Sequence, residues 1–242
     1  MTNSRLALVY LLGFAGAIVV ASYAGFRDFL PVLLEGTLVT IEITAMSAMV
    51  AVPCAVAAAL AKIYGVLPLR WLAVAYIEIF RGTSALVQLF WLFFVLPHFG
   101  ITLEPITAAV VGLGLNLGAY GAEVVRGAVQ AVPRGQWEAS TALNMTRAMA
   151  LRRIVLPQAF VAMIPPWGNL FIELLKATSL VSLITITDLT FKAKGISDVT
   201  LRTAEVFNVA LVIYLCIALV ITYAMRTLER SATRGLARGR SA

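Results

Sequence analysis

Residues Thr37–Ala61 read TLVTIEITAMSAMVAVPCAVAAALA. A single acid, Glu42, interrupts a run of apolar and small residues. A membrane-spanning helix needs about 20 predominantly apolar residues, so the run is long enough to cross a bilayer. It does not alternate polar with apolar positions, as a strand of a membrane β-barrel does. The chain is therefore read as all-α and polytopic. Composition agrees: 61% of the 242 residues are hydrophobic and 13% charged, against about half and about a quarter in soluble domains. Mean hydropathy is +0.92. A water-soluble enzyme and a disordered chain are both excluded by these values.

Six apolar segments are expected: Leu6–Ala24, Thr37–Ala61, Trp71–Leu96, Ile106–Val125, Ile154–Ile186 and Val206–Met225. The first has an alternative as a signal peptide, but its apolar stretch is long for one, and a retained span is preferred. With the amino terminus inside, six spans return the carboxyl terminus inside. Most of the 19 Lys and Arg then fall on the inner side. They include Lys62, Arg70, Arg126, Arg134, Arg147, Arg152, Arg153 and the arginines from Arg226 to Arg240. Arg27, Lys192, Lys194 and Arg202 fall outside. This is the positive-inside distribution, and it accounts for the +7 charge without nucleic acid. Cys54 and Cys216 lie in apolar runs and read as small core residues rather than a disulfide or metal site.

Between the fourth and fifth spans lies an inner segment, about Arg126–Arg153, too small to fold alone. Within it, EASTAL (Glu138–Leu143) reads as a short helix after Pro133, Arg134 and Gly135. Ala139, Ala142 and Leu143 fall at i, i+3 and i+4 and share one face. An apolar face with nothing of its own to pack on suggests a partner protein; the alternative is a helix lying on the lipid surface.

Polar residues inside spans are expensive and face a bundle interior or a cavity. Glu78, Arg81, Ser84 and Gln88 follow at helical steps and predict one stripe in the third span. Asn169, Glu173 and Lys176 predict another in the fifth. Asn116 and Glu123 align in the fourth. The functional reading is a polar route through the bundle. The alternative is local pairing, Arg81 with Glu78 or Glu173 with Lys176. Glu123, near the inner surface, is read as structural. Pro165-Pro166 is expected to break the fifth span, as broken helices line cavities in transporters. Gly114 and Gly118 have the spacing that permits close helix packing.

No G-x-x-x-x-G-K-[ST] loop is present, so any ATP must be bound and hydrolysed by another chain. No C-x-x-C, H-E-x-x-H or G-x-S-x-G pattern supplies a metal site or an activated nucleophile, and His98 is the only histidine. The chain is read as a non-enzyme that binds no cofactor or metal itself.

The inner segment also carries a resemblance. Glu138-Ala139-Ser140 followed by Ile154, Leu156 and Pro157 is similar to the EAA loop of ABC importer permeases. QWEASTALNM…RRIVLPQA (Gln136–Ala159), YIEIFRGTSALVQLF (Tyr76–Phe90), GLNLGAYGAEVVRGAVQAVPRGQWEA (Gly114–Ala139) and PPWGNLFIELLKATSLVSLI (Pro165–Ile184) resemble its polar amino acid subfamily. The resemblance runs from about Gly36 to the end. It implies an amino-terminal span (residues 1–30) added to a five-helix transmembrane domain (31–230) with its coupling loop at about 126–157, then a basic cytoplasmic tail (231–242). The implied location is the bacterial inner membrane.

The resemblance implies these partners: two ATPase subunits using ATP and Mg, a second permease chain (heterodimer first, homodimer as alternative), an extracytoplasmic solute-binding protein, and membrane lipid. It assigns ATPase coupling to Gln136, Trp137, Glu138, Ala139, Ser140, Ala142, Leu143 and Asn144. It assigns the solute path to Arg81, Thr83, Ser84, Gln88, Asn169, Glu173 and Lys176. Four positions depart from the family pattern. Asn144 replaces a glycine, and Asn is the next most tolerant of positive φ. Ser84 replaces a proline, which is expected to remove a helix disruption. Leu170 and Ala177 replace acids, which disfavours a cationic solute and suits a neutral zwitterion. RGTSALVQLFW, EASTALN and LLKATSLVSLI resemble ectoine/hydroxyectoine permeases, so ectoine is the first substrate expectation and a polar or neutral amino acid the second. An ATP-independent carrier or channel is the competing class; it needs no EAA loop.

Overall fold

A computed structural model of the chain describes residues 26–238, together with Gly13 and Gly16. The expected first span otherwise lies outside the described residues. Among the described residues all regular structure is helical: α1 Phe26–Tyr64, α2 Leu67–Gly82, α3 Ala85–Phe90, α4 Pro105–Gln130, α5 Arg134–Ala142, α6 Arg147–Ala150, α7 Leu156–Ala177, α8 Leu189–Thr200 and α9 Thr203–Arg238. α3 runs on through a π turn (Trp91–Val95) and a 3-10 turn (Leu96–Phe99). Four stretches are long and apolar enough to cross a membrane, and the bent α2–α3 pair makes a fifth. These correspond to the five expected spans that fall among the described residues.

The largest interface is α1 against α4. In lipid no water is expelled when helices meet, so close contact does the holding. Small residues provide it. A Cβ on Gly114 would sit 2.8 Å from the Cβ of Val50; one on Gly118 would sit 2.7 Å from the Tyr76 hydroxyl and 3.1 Å from Cys54. The glycine spacing seen in the sequence is thus the seam of the bundle. A second core joins α1, α8 and α9 through Leu33, Leu189, Ala193, Val206, Val209 and Ala210.

Several expectations are corrected. The third span is not one helix. Thr83 and Ser84 are both extended, and α2 meets the α3 segment at 106°. Ser84 therefore does not restore helix where the family has proline, and Ser84 and Gln88 leave the stripe of Glu78 and Arg81. A glycine and a β-branched residue, Gly82-Thr83, are poor helix formers, and side chains cap the open end, as described below. The fifth span, in contrast, does not break at Pro165-Pro166, since α7 continues through both. Their rings face outward, while Trp167 and Gly168 on the opposite face pack against α4 and α9. That packing outweighs the two lost backbone donors. The helix tightens later, into a 3-10 turn at Thr178–Ile184, and ends at Thr185 with φ 69°. Cys216 is exposed on α9 and is not a core residue; Cys54 is half-buried at the α1–α4 seam.

Candidate functional site

The α2–α3 elbow carries four of the assigned path residues. A helix end inside a membrane leaves carbonyls that water does not reach, and here side chains take them. The Thr83 hydroxyl donates to the Ile79 carbonyl at 2.7 Å. The Gln88 amide donates to the Phe80 carbonyl at 2.9 Å and to the Thr83 hydroxyl at 2.6 Å. Asn116 on α4 donates to the Phe80 carbonyl and to Gln88 Oε1, both at 3.0 Å. Tyr120 donates to the Arg81 carbonyl at 3.5 Å. The Arg81 guanidinium lies 5.4 Å over the Tyr120 ring, within the range of a cation–π contact. Arg81, Thr83 and Ser84 are exposed, and Gln88 is turned inward.

Asn169, Glu173 and Lys176 are exposed along one face of α7. Neither expected pair, Arg81–Glu78 nor Glu173–Lys176, is among the ion pairs of the described residues. No hydrogen bond joins the elbow to this α7 face there. The assigned path residues thus form two separate sets. Asn116 and Tyr120 were missed as members of the elbow; an asparagine in the Gly/Ala/Leu-rich middle of α4, one turn before a tyrosine, was the available signal.

The second assigned region is α5. Its carboxyl end closes in a Schellman turn: Met145 N–H donates to the Ser140 carbonyl at 3.0 Å and Asn144 N–H to the Thr141 carbonyl at 2.9 Å. Asn144 takes φ 57°, the left-handed position usual for glycine at this site. The expectation that asparagine preserves the turn holds. The eight assigned residues divide by face. Ser140 is buried and donates to the Trp137 carbonyl. Trp137 packs on the main core, and Gln136 accepts from Gln158 at 3.4 Å. Glu138, Ala139, Ala142, Leu143 and Asn144 are uncovered, Leu143 to 73%. One face seats the helix and the other stands open.

Above α5, Glu123 accepts from Lys62 at 2.7 Å and from Arg126 at 2.8 Å, while Arg126 donates to Gln130. This ties the ends of α1 and α4 where α5 departs, in keeping with a structural Glu123. No cluster of three or more metal-ligating side chains occurs among the described residues.

Residues 51–234 match the family described as binding-protein-dependent transport system inner membrane component. The chain is 47% identical over 214 residues to "Probable amino-acid ABC transporter permease protein y4tF" of Sinorhizobium fredii, covering 86% of this chain and 90% of that one. It is 39% identical to the L-cystine transport system permease protein TcyB of Bacillus subtilis, covering 88% and 91%. A crystal structure of an amino acid ABC transporter with histidines superposes with a TM-score of 0.81 at 35% identity, covering 87% of this chain and 98% of that one. Sequence and fold agree over most of the chain, and the chain belongs to the family of binding-protein-dependent transport system inner membrane components.

Proposed function

We propose that this chain is the permease subunit of an ABC importer for a small neutral or polar amino acid. The observation that carries the coupling part is α5, seated by Trp137 and Ser140 with Glu138, Ala139, Ala142 and Leu143 uncovered. That face suits the groove of an ATPase subunit, which supplies ATP and Mg chemistry from outside this chain. A second permease chain and an extracytoplasmic binding protein complete the importer; a heterodimer is preferred, and both termini are proposed to face the cytoplasm. For the solute, relatives named for amino acids and cystine support the amino acid reading over ectoine, which none of the relatives described above is named for. In this reading Arg81 is the partner of the solute carboxylate, and Glu173 or nearby carbonyls the partner of its ammonium group.

The test is purification of tagged chain from its native host in mild detergent. A P-loop ATPase should co-purify, and Glu138→Lys should remove it while the spans stay folded by circular dichroism. Retention of a coupled ATPase by the charge-reversed protein sinks the α5 assignment. Uptake by wild-type proteoliposomes of labelled L-amino acids and labelled ectoine, in parallel, separates the two solute readings. Transport by the purified chain without ATP would favour the carrier class instead.

A further inference from the structure

Asn116 stands in the sequence GLGLNLGAYG (Gly112–Gly121), where it is the only side chain with two amide hydrogens to place. Inside a membrane an amide needs partners on protein, and both of its hydrogens go to the elbow, on the Phe80 carbonyl and on Gln88 Oε1. Gln88 is equally committed, to the Phe80 carbonyl and the Thr83 hydroxyl. Only this orientation of both amides lets each donate to Phe80. Neither has a hydrogen left for solute. Arg81 and Ser84, one and four residues beyond Phe80, are exposed.

We infer that Asn116 is a positioning residue for transport: with Gln88 it forms a frame that holds the α2–α3 elbow and so presents Arg81 and Ser84 to the solute. Gln88 then belongs to the frame and not to the solute-contacting surface. Thr83 and Ser84 are extended, so the regular helix does not run through the bend, and together with the Tyr120 contact to the Arg81 carbonyl the Asn116–Gln88 pair ties the elbow to α4. Removing the Asn116 donor frees Gln88 Oε1 and lets the corner swing, and small displacements of a positioning group cost rate steeply.

The inference rests on the importer reading. The experiment uses the complete complex in proteoliposomes, with its ATPase and binding protein, and a ¹⁴C-labelled L-amino acid mixture as probe. Asn116→Asp keeps the shape and loses the donors; it should lower the maximal uptake rate at saturating binding protein by roughly tenfold, with ATPase retention and basal hydrolysis unchanged. Asn116→Leu and Gln88→Leu should each do the same. The double variant should be no worse than the worse single, because one frame is broken once. Exchanging the pair, Asn116→Gln with Gln88→Asn, should restore part of the rate. Wild-type uptake by Asn116→Asp overturns the inference. So does a parallel loss of uptake, ATPase retention and thermal stability, which would make Asn116 a packing residue. Failure of the importer reading shows differently: the wild-type chain itself would retain no ATPase.

Discussion

Asp188 shows how one residue's setting turns into a measurable dependence. It is fully buried at the start of α8. Its Oδ1 accepts from the Phe191 amide at 2.9 Å, while Oδ2 has no hydrogen-bond partner among the described residues. Burial pushes the carboxyl up to about 6, against the pull of the Phe191 and Thr190 amides and nearby hydroxyls. The ordinary value is 3.8, so between these values the folded protein holds a proton that the unfolded chain has released. Stability from this group is therefore complete below the ordinary value and lost as pH rises through about 6. Asp188→Asn retains a cap for Phe191 and carries no charge. It should flatten the fall in melting temperature between pH 4 and pH 6.5 in detergent; Asp188→Ala should flatten it too, lying about 1 kcal/mol below the asparagine variant at every pH for want of the cap. An unchanged slope in the asparagine variant would show that other groups set it. At the same scale, Asn144 was legible in the sequence because its φ requirement is local. Asn116 was legible only as a polar position aligned with Glu123; its place in the elbow was not, because its partners lie on other helices.

The α1–α4 seam is a property of elements. Gly118 faces Tyr76 and Cys54 closely, while Gly127, on the same helix, has nothing among the described residues within 4 Å of an added Cβ. Gly118→Leu should wedge the helices apart and lower thermal stability by about 1–3 kcal/mol or more. Gly127→Ala should be neutral or stabilising by up to about 1 kcal/mol, since alanine is the better helix former. Equal effects of the two substitutions in a thermal unfolding series would deny the seam its role. The elements also show where local reading misleads. Proline is a local helix breaker, yet α7 passes Pro165-Pro166 because its other face is packed. Gly82-Thr83-Ser84 lacks a proline, yet the chain turns there because Asn116, Gln88 and Tyr120 satisfy the open carbonyls.

At the scale of the whole molecule, Glu42, Glu78, Arg81, Glu173 and Lys176 are exposed within the spans. Charges within spans rarely face hydrocarbon, so these groups are expected to face protein or water. Val220, exposed on α9, has no such need. In a background with Cys54 and Cys216 replaced by alanine, Glu173→Cys in the native membrane should react with a water-soluble maleimide, and Val220→Cys should stay unlabelled. Equal protection of both would place Glu173 against lipid or in a dry interface, and would remove it from the solute path.

The amino-acid sequence by itself determined the class of solvent, the number of spans among the described residues, the short helix at Glu138–Leu143 and the family, because these follow from hydrophobicity, length and contiguous motifs. It also marked the Gly114–Gly118 seam, whose signal is a spacing along one helix. Only the tertiary structure decided where the spans bend and which polar residues meet. Helical periodicity placed Gln88 beside Arg81, but the 106° elbow turned it inward to Phe80 and Asn116. A hydrogen bond across helices 28 residues apart in the chain leaves no local mark. The backbone break is satisfied by partners that only the folded bundle brings to it.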